Sequence, residues 1–171
     1  MKVISNEVID RTWAEINNLA PQELVKLVEK LGREQPAILA YLMAAGMNDL
    51  SQEEHELLVF YGLSLWQMVN EAGFALQEIS LDDLMQAEEN NMKMLEYLSQ
   101  ESESDLIKTV ETIWKGYNQK GLLMYIIEAL IEESEPEEEA LIEDDESRAY
   151  IFICLKTLID CLDRAGEEAP D

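Results

Sequence analysis

Between Ser51 and Gly73 the chain carries Leu57, Leu58, Val59, Phe60, Tyr61, Leu63, Leu65, Trp66, Met68 and Val69, broken only by Gly62, Ser64 and Gln67. So dense a run suits a buried strand or a buried helix, and periodicity alone does not separate the two. The flanks do. Ser51 with Glu54 three residues on forms a capping box, and Glu53 and Glu54 suit the positive end of a helix dipole. Gly73 follows the last apolar turn, where a left-handed residue closes a helix. A helix apolar on nearly every side must be surrounded by other elements. This one is shorter than the roughly 20 apolar residues of a membrane span. The pattern predicts the central helix of an all-α domain.

Seven further segments show helical spacing, giving about eight helices in one domain over residues 1–171. The first follows Ser5, with Val8, Ile9, Trp13, Ile16 and Leu19 on one stripe. Pro21 and Pro36 open the second and third at the position where proline fits a helix start. Gly32 and Gly46 stop them. Ser80 with Asp83 caps a fifth through Leu84, Met92 and Leu98. A sixth follows Ser104, a seventh follows Gly121, and an eighth runs from about Asp145 to Arg164.

The pattern also repeats. Glu23-Leu24-Val25-Lys26-Leu27-Val28-Glu29-Lys30-Leu31 aligns with Asp105-Leu106-Ile107-Lys108-Thr109-Val110-Glu111-Thr112-Ile113. Gln35, Leu39, Tyr41, Leu42 and Ala45 then match Gln119, Leu123, Tyr125, Ile126 and Ala129. Ser64 to Gly73 match Thr157 to Gly166 in the same order. A shared hydrophobic stripe does not explain Lys26 with Lys108, Glu29 with Glu111, or Gln35 with Gln119. The expectation is an internal duplication with halves 1–78 and 79–171, the eighth helix being the counterpart of the central one. The first and fifth helices align poorly.

Charge changes the functional picture. With 12 bases against 37 acids the net charge is −25. A field that negative repels nucleic acid and anionic membranes and admits a basic protein or a cation. Its plain alternative is solubility or adaptation to salt. No lysine or arginine lies between Arg33 and Lys93, and an acidic connector spans 132–146. Cys154 and Cys161 lie two helical turns apart, about 10 Å, too far to bridge each other. Reduced thiols and the lack of an apolar leader before Asp10 and Arg11 predict a cytoplasmic protein.

Candidate chemistry thins out on inspection. His55, the sole histidine, sits in the first turn of the central helix and is expected to face solvent. Gln52 stands where a Glu-x-x-His ligand pair would need its acid. Asp82-Asp83 has Gln86 in place of a third acid, and Glu53-Glu54 has Leu57. Asp144-Asp145-Glu146 lacks the alternating ligands of a calcium loop. No catalytic, cofactor or metal residue is predicted. Glu137, Glu138, Glu139, Asp144 and Asp145 are the candidate contacts for a basic partner. Lys26/Glu29 and Lys108/Glu111 are expected surface ion pairs, and Tyr41 and Tyr125 core aromatics with satisfied hydroxyls. The expectation is a non-enzymatic interaction module with an acidic surface, a homo-oligomer being left open. The alternative is a divalent-metal-assisted enzyme with helix-borne carboxylates between the halves.

Overall fold

Eight helices and no strand account for the regular structure of the described residues, 1–134, 140–142 and 144–166 of the computed structural model. In chain order they are α1 (Asn6–Asn17), α2 (Pro21–Glu34), α3 (Pro36–Ala44), α4 (Gln52–Glu71), α5 (Leu81–Ser99), α6 (Glu103–Gly116), α7 (Lys120–Glu132) and α8 (Asp145–Ala165).

Local chemistry sets most of the boundaries. Ser5, Ser51, Ser80, Ser102 and Asp144 each accept a backbone N–H three residues on, and proline opens α2 and α3. The Ser51/Glu54 box is reciprocal: Ser51 N–H donates to Glu54 Oε2 at 2.8 Å and Glu54 N–H to Ser51 Oγ at 3.2 Å. Gly46 at φ +69° and Gly73 at φ +80° take the left-handed turns after α3 and α4. Two boundaries differ from expectation. Ser102, not Ser104, caps α6, because Asp105 N–H reaches its hydroxyl. α7 starts at Lys120 and takes Gly121 inside it. A Cβ at Gly121 would lie 2.8 Å from both Asn6 Oδ1 and Ile9 Cδ1, so this glycine lets α1 cross α7 closely.

α4 and α8 pack on each other at the centre. Leu58, Leu65, Trp66, Met68 and Val69 on α4 and Ile151, Cys154, Leu155, Leu158 and Ile159 on α8 have no exposed surface. Each such side chain contributes about 1.5–3 kcal/mol through burial. α1 lies on α4 and α7; α5 lies on α8 and α3. α2 covers α3 and α4, and α7 covers α8. α6 packs closely along no other helix among the described residues, and none of its described side chains is fully buried. No described helix is long and apolar enough to cross a membrane.

Candidate functional site

The residues singled out for a basic partner do not form a site. Glu137, Glu138 and Glu139 lie outside the described residues. Asp144 is the N-cap of α8, its carboxylate accepting Ser147 N–H at 2.7 Å, and the exposed Asp145 pairs with Arg148. His55 does not simply face solvent: it is half-buried, with Nε2 3.0 Å from the Leu42 carbonyl, and so ties the start of α4 to α3. The surface pairs shift by one partner. Lys108 pairs with Asp105, and Glu111 with Lys115. Both cysteines are free and buried.

Tyr41 and Tyr125 sit in two clusters of unlike chemistry. Around Tyr125, on α7, Trp13 from α1 lies 5.5 Å away centroid to centroid, and Trp13 also stacks on Tyr61 at 5.9 Å and meets Phe60 edge-on at 5.8 Å. Offset and edge-to-face aromatic pairs of this kind add to burial. Tyr61 donates to Glu133 Oε1 at 2.6 Å. The hydroxyl of Tyr125 is buried without a hydrogen bond of ordinary length, contrary to expectation. Burial pushes its pKa upward, with the nearby Ser64 pulling slightly the other way.

Around Tyr41, on α3, the neighbours are polar. Its hydroxyl donates to Glu88 Oε1 of α5 at 3.1 Å, and the Cys154 thiol of α8 approaches the same oxygen at 3.8 Å. Tyr150 accepts the Gly46 N–H at 3.1 Å. Burial holds the Cys154 thiol at about 12, with the Glu88 charge adding to it and hydrogen bonds from Tyr41 and Tyr150 opposing. Tyr150 is likewise raised to about 12, first by burial. A thiol held this far up is protonated and unreactive near neutrality.

A third polar group joins α5, α8 and the turn between α6 and α7. The Lys156 ammonium donates to Asn91 Oδ1 and Asp160 Oδ2, both at 2.8 Å, and lies 5.0 Å from the centre of the Tyr117 ring. Tyr117 donates to Asp160 Oδ1 at 2.7 Å. Asn91 donates to Thr157 Oγ1 and to Asp160 Oδ2. Burial, then the Asp160 charge, push the Tyr117 hydroxyl well above its ordinary range. The Lys156 side chain is 8% exposed. Its charge is matched and its donors are used, which makes this group a rigid polar staple. A cavity of about 390 Å³ opens beside it, with Asn90, Asn118, Asp163 and Arg164 among its walls.

Two buried glutamines do one job at two places. Gln35, just before α3, takes the Ile79 N–H on Oε1 at 2.9 Å and donates Nε2 to the Gln77 carbonyl at 2.9 Å. Gln119, just before α7, takes the Ile4 N–H at 3.1 Å and donates to the Lys2 carbonyl at 3.0 Å. Each carboxamide thus clasps the extended segment that leads into Ser80 of α5 or Ser5 of α1. Gln119 also donates to Asp163 at 2.8 Å.

A groove of about 360 Å³ runs between α1 and α7. Ile9, Met124 and Tyr125 supply its apolar lining, and Asp10 and Glu128 line it too. Lys120 also lines it, its ammonium directed to the Lys115 carbonyl at 3.2 Å. Among the described residues no three His, Cys, Asp or Glu side chains gather as metal ligands would. The chain matches no protein family model, no curated protein and no solved structure.

Sequence reasoning missed Asn91, Tyr117, Lys156 and Asp160. A signal was present: Lys156 and Asp160 stand four apart inside the apolar run Ile151–Leu162, where charges need each other.

Proposed function

We propose that this chain is a cytoplasmic, non-enzymatic helical module of two related halves, 1–78 and 79–171, that receives a basic protein segment in the groove between α1 and α7. The observation that carries this reading is the groove's makeup: two carboxylates, Asp10 and Glu128, line it together with apolar Ile9, Met124 and Tyr125, against a single cation, Lys120, whose ammonium is directed to the Lys115 carbonyl. That combination fits a partner presenting a lysine or arginine beside an apolar side chain. The cation meets the carboxylates, and the net charge of −25 steers it there. Free thiols suit a reducing compartment. The duplication is supported by the matching glutamine clasps, each preceded by Gly32 or Gly116 three residues earlier. It is supported too by the exchange of leading helices: α1 lies on α7 of the second half and α5 on α3 of the first.

Binding of a synthetic Lys/Arg-rich amphipathic peptide, followed by calorimetry at two salt concentrations, tests the groove. Asp10→Lys with Glu128→Lys is expected to weaken binding by at least about tenfold, the equivalent of 1.4 kcal/mol. An equal loss from Glu53→Lys with Glu56→Lys, on exposed positions of α4, would overturn it.

A further inference from the structure

The cavity of about 390 Å³ beside the Lys156 staple plays no part in the groove between α1 and α7. It falls within the roughly 300–1,000 Å³ of sites that take small molecules. Its walls come from α5, α8 and the turn between α6 and α7. Many of their polar atoms are already engaged. Asn91 gives its amide protons to Thr157 and Asp160, and Gln119 gives its own to Lys2 and Asp163. Asp160 takes Tyr117 on one oxygen, and Asn91 and Lys156 on the other.

The polar atoms left over are sorted by kind. On the side of the turn before α7, Asn118 Nδ2 donates to Asp163 Oδ1 at 2.8 Å. Asn118 Oδ1 and Asp163 Oδ2 then remain as acceptors with no donor among the described residues. Arg164 belongs to the α5 side, since it also lines a smaller pocket together with Asp83. Its Nε goes to the Asp160 carbonyl at 3.1 Å and its Nη2 to Cys161 Sγ at 3.5 Å, so Nη1 keeps its protons. Asn90, two turns along α5 from Asp83, takes Gln86 on Oδ1 and keeps its Nδ2 protons too. Acceptors thus face the cavity's ligand from one side and donors from the other.

That polarity selects among ligands. A simple anion would approach a molecule of net charge −25. A simple cation would meet Arg164, which forms no ion pair among the described residues. A neutral molecule carrying an ammonium and a carboxylate meets neither obstacle. We infer that this cavity binds a free α-amino acid with a small side chain, its ammonium on Asp163 and Asn118 and its carboxylate on Arg164 and Asn90. Ala87, Gly116 and the Tyr117 ring are left to bound the side chain.

The repeat register adds a second argument, which alone rests on the duplication proposed above. α8 carries Lys156, Asp160, Asp163 and Arg164 where α4 carries Leu63, Gln67, Asn70 and Glu71. The central helix packs without three of those four charges, and a buried ion pair is seldom needed for stability. A ligand explains why α8 has them.

Titration calorimetry of the full chain with glycine, L-alanine and L-serine tests this. The expected result is saturable binding with a dissociation constant on the order of 1 mM. Methylammonium chloride and sodium acetate, each carrying one of the two charges, are expected to bind at least about tenfold more weakly. Asn90 is exposed, so Asn90→Asp endangers no packing. It and Arg164→Gln are each expected to weaken glycine binding at least about fivefold with the helical circular dichroism retained. Asp10→Lys with Glu128→Lys, in the other groove, is expected to leave it unchanged. No saturable heat from the three amino acids at up to about 50 mM would overturn the proposal. So would acetate or methylammonium binding as tightly as glycine, or an affinity indifferent to both Asn90→Asp and Arg164→Gln.

Discussion

α1 meets α4 and α7 through stacked rings, while α5 meets α8 and α3 through a carboxylate, a thiol, two phenols and a buried ammonium. Trp13 of α1 lies against Tyr125 of α7, and Glu88 of α5 lies against Tyr41 of α3. The first contact is held by burial and ring geometry, which no proton within the ordinary pH range disturbs. The second depends on protonation and on every donor finding its acceptor. Similar helix arrangements thus tolerate unlike chemistry, provided each filling is complete.

The largest expected effect comes from the polar side. Lys156→Ala removes a buried cation and leaves the half-buried Asp160 without it, and should lower stability by about 3–5 kcal/mol. Trp13→Ala, on the aromatic side, should cost about 3 kcal/mol. Urea denaturation measures both. If Lys156→Met with Asp160→Leu restores most of the loss, the staple is a matter of specificity and not of net stability.

Next come the two clasps. Gln35→Ala and Gln119→Ala each strand a buried N–H and a carbonyl, and each should cost about 1–3 kcal/mol. Near-equal losses in urea midpoints would sharpen the correspondence between the two sides; a large loss in only one would break it.

Alkali should reach the buried thiols first, at about pH 9, and the buried phenols of both contacts, Tyr61 and Tyr125 among them, only above about pH 10. Cys154 is raised from 9.0 to about 12 and Cys161 to about 11, both mainly by burial. A folded-state pKa above the unfolded value gives stability that is fully present below about pH 9 and is lost as pH climbs toward 12. Denaturation midpoints should therefore fall between those limits, and Cys154→Ala should flatten the fall. An unchanged slope in that variant would remove Cys154 from the account. Smallest is Lys93→Ala on the exposed pair with Glu89, expected to shift stability by less than about 0.5 kcal/mol in the same titration.

The helices and most of their ends were legible because caps are local. Ser51, Ser80, Pro21, Pro36 and Gly73 each act within a few residues of themselves. The burial of α4 and α8 was legible too, since neither has a polar face wide enough for solvent. What the chain did not disclose depends on distant partners. His55 looks like a surface residue until the Leu42 carbonyl is placed beside it. Lys156 looks misplaced until Asn91 and Tyr117 arrive from other helices. α2 and α6 read alike, yet only α2 packs closely along other described helices, because the covering surface belongs to the fold and not to the helix. The candidate acids Asp144 and Asp145 were chosen for charge density, and their roles in starting α8 were already written in the Asp-x-x-Ser spacing.

The clasp at Gln119 has a further consequence for how the molecule is made. Its hydrogen bond to Ile4 joins residues 115 positions apart. During synthesis α4, on which most of α1 rests, is complete before α7 exists, so the apolar stripe of α1 gains much of its cover early and its seat on α7 only later. The clasp thus ties down Ile4 only after α7 has formed, on a helix that has already had α4 to lie on.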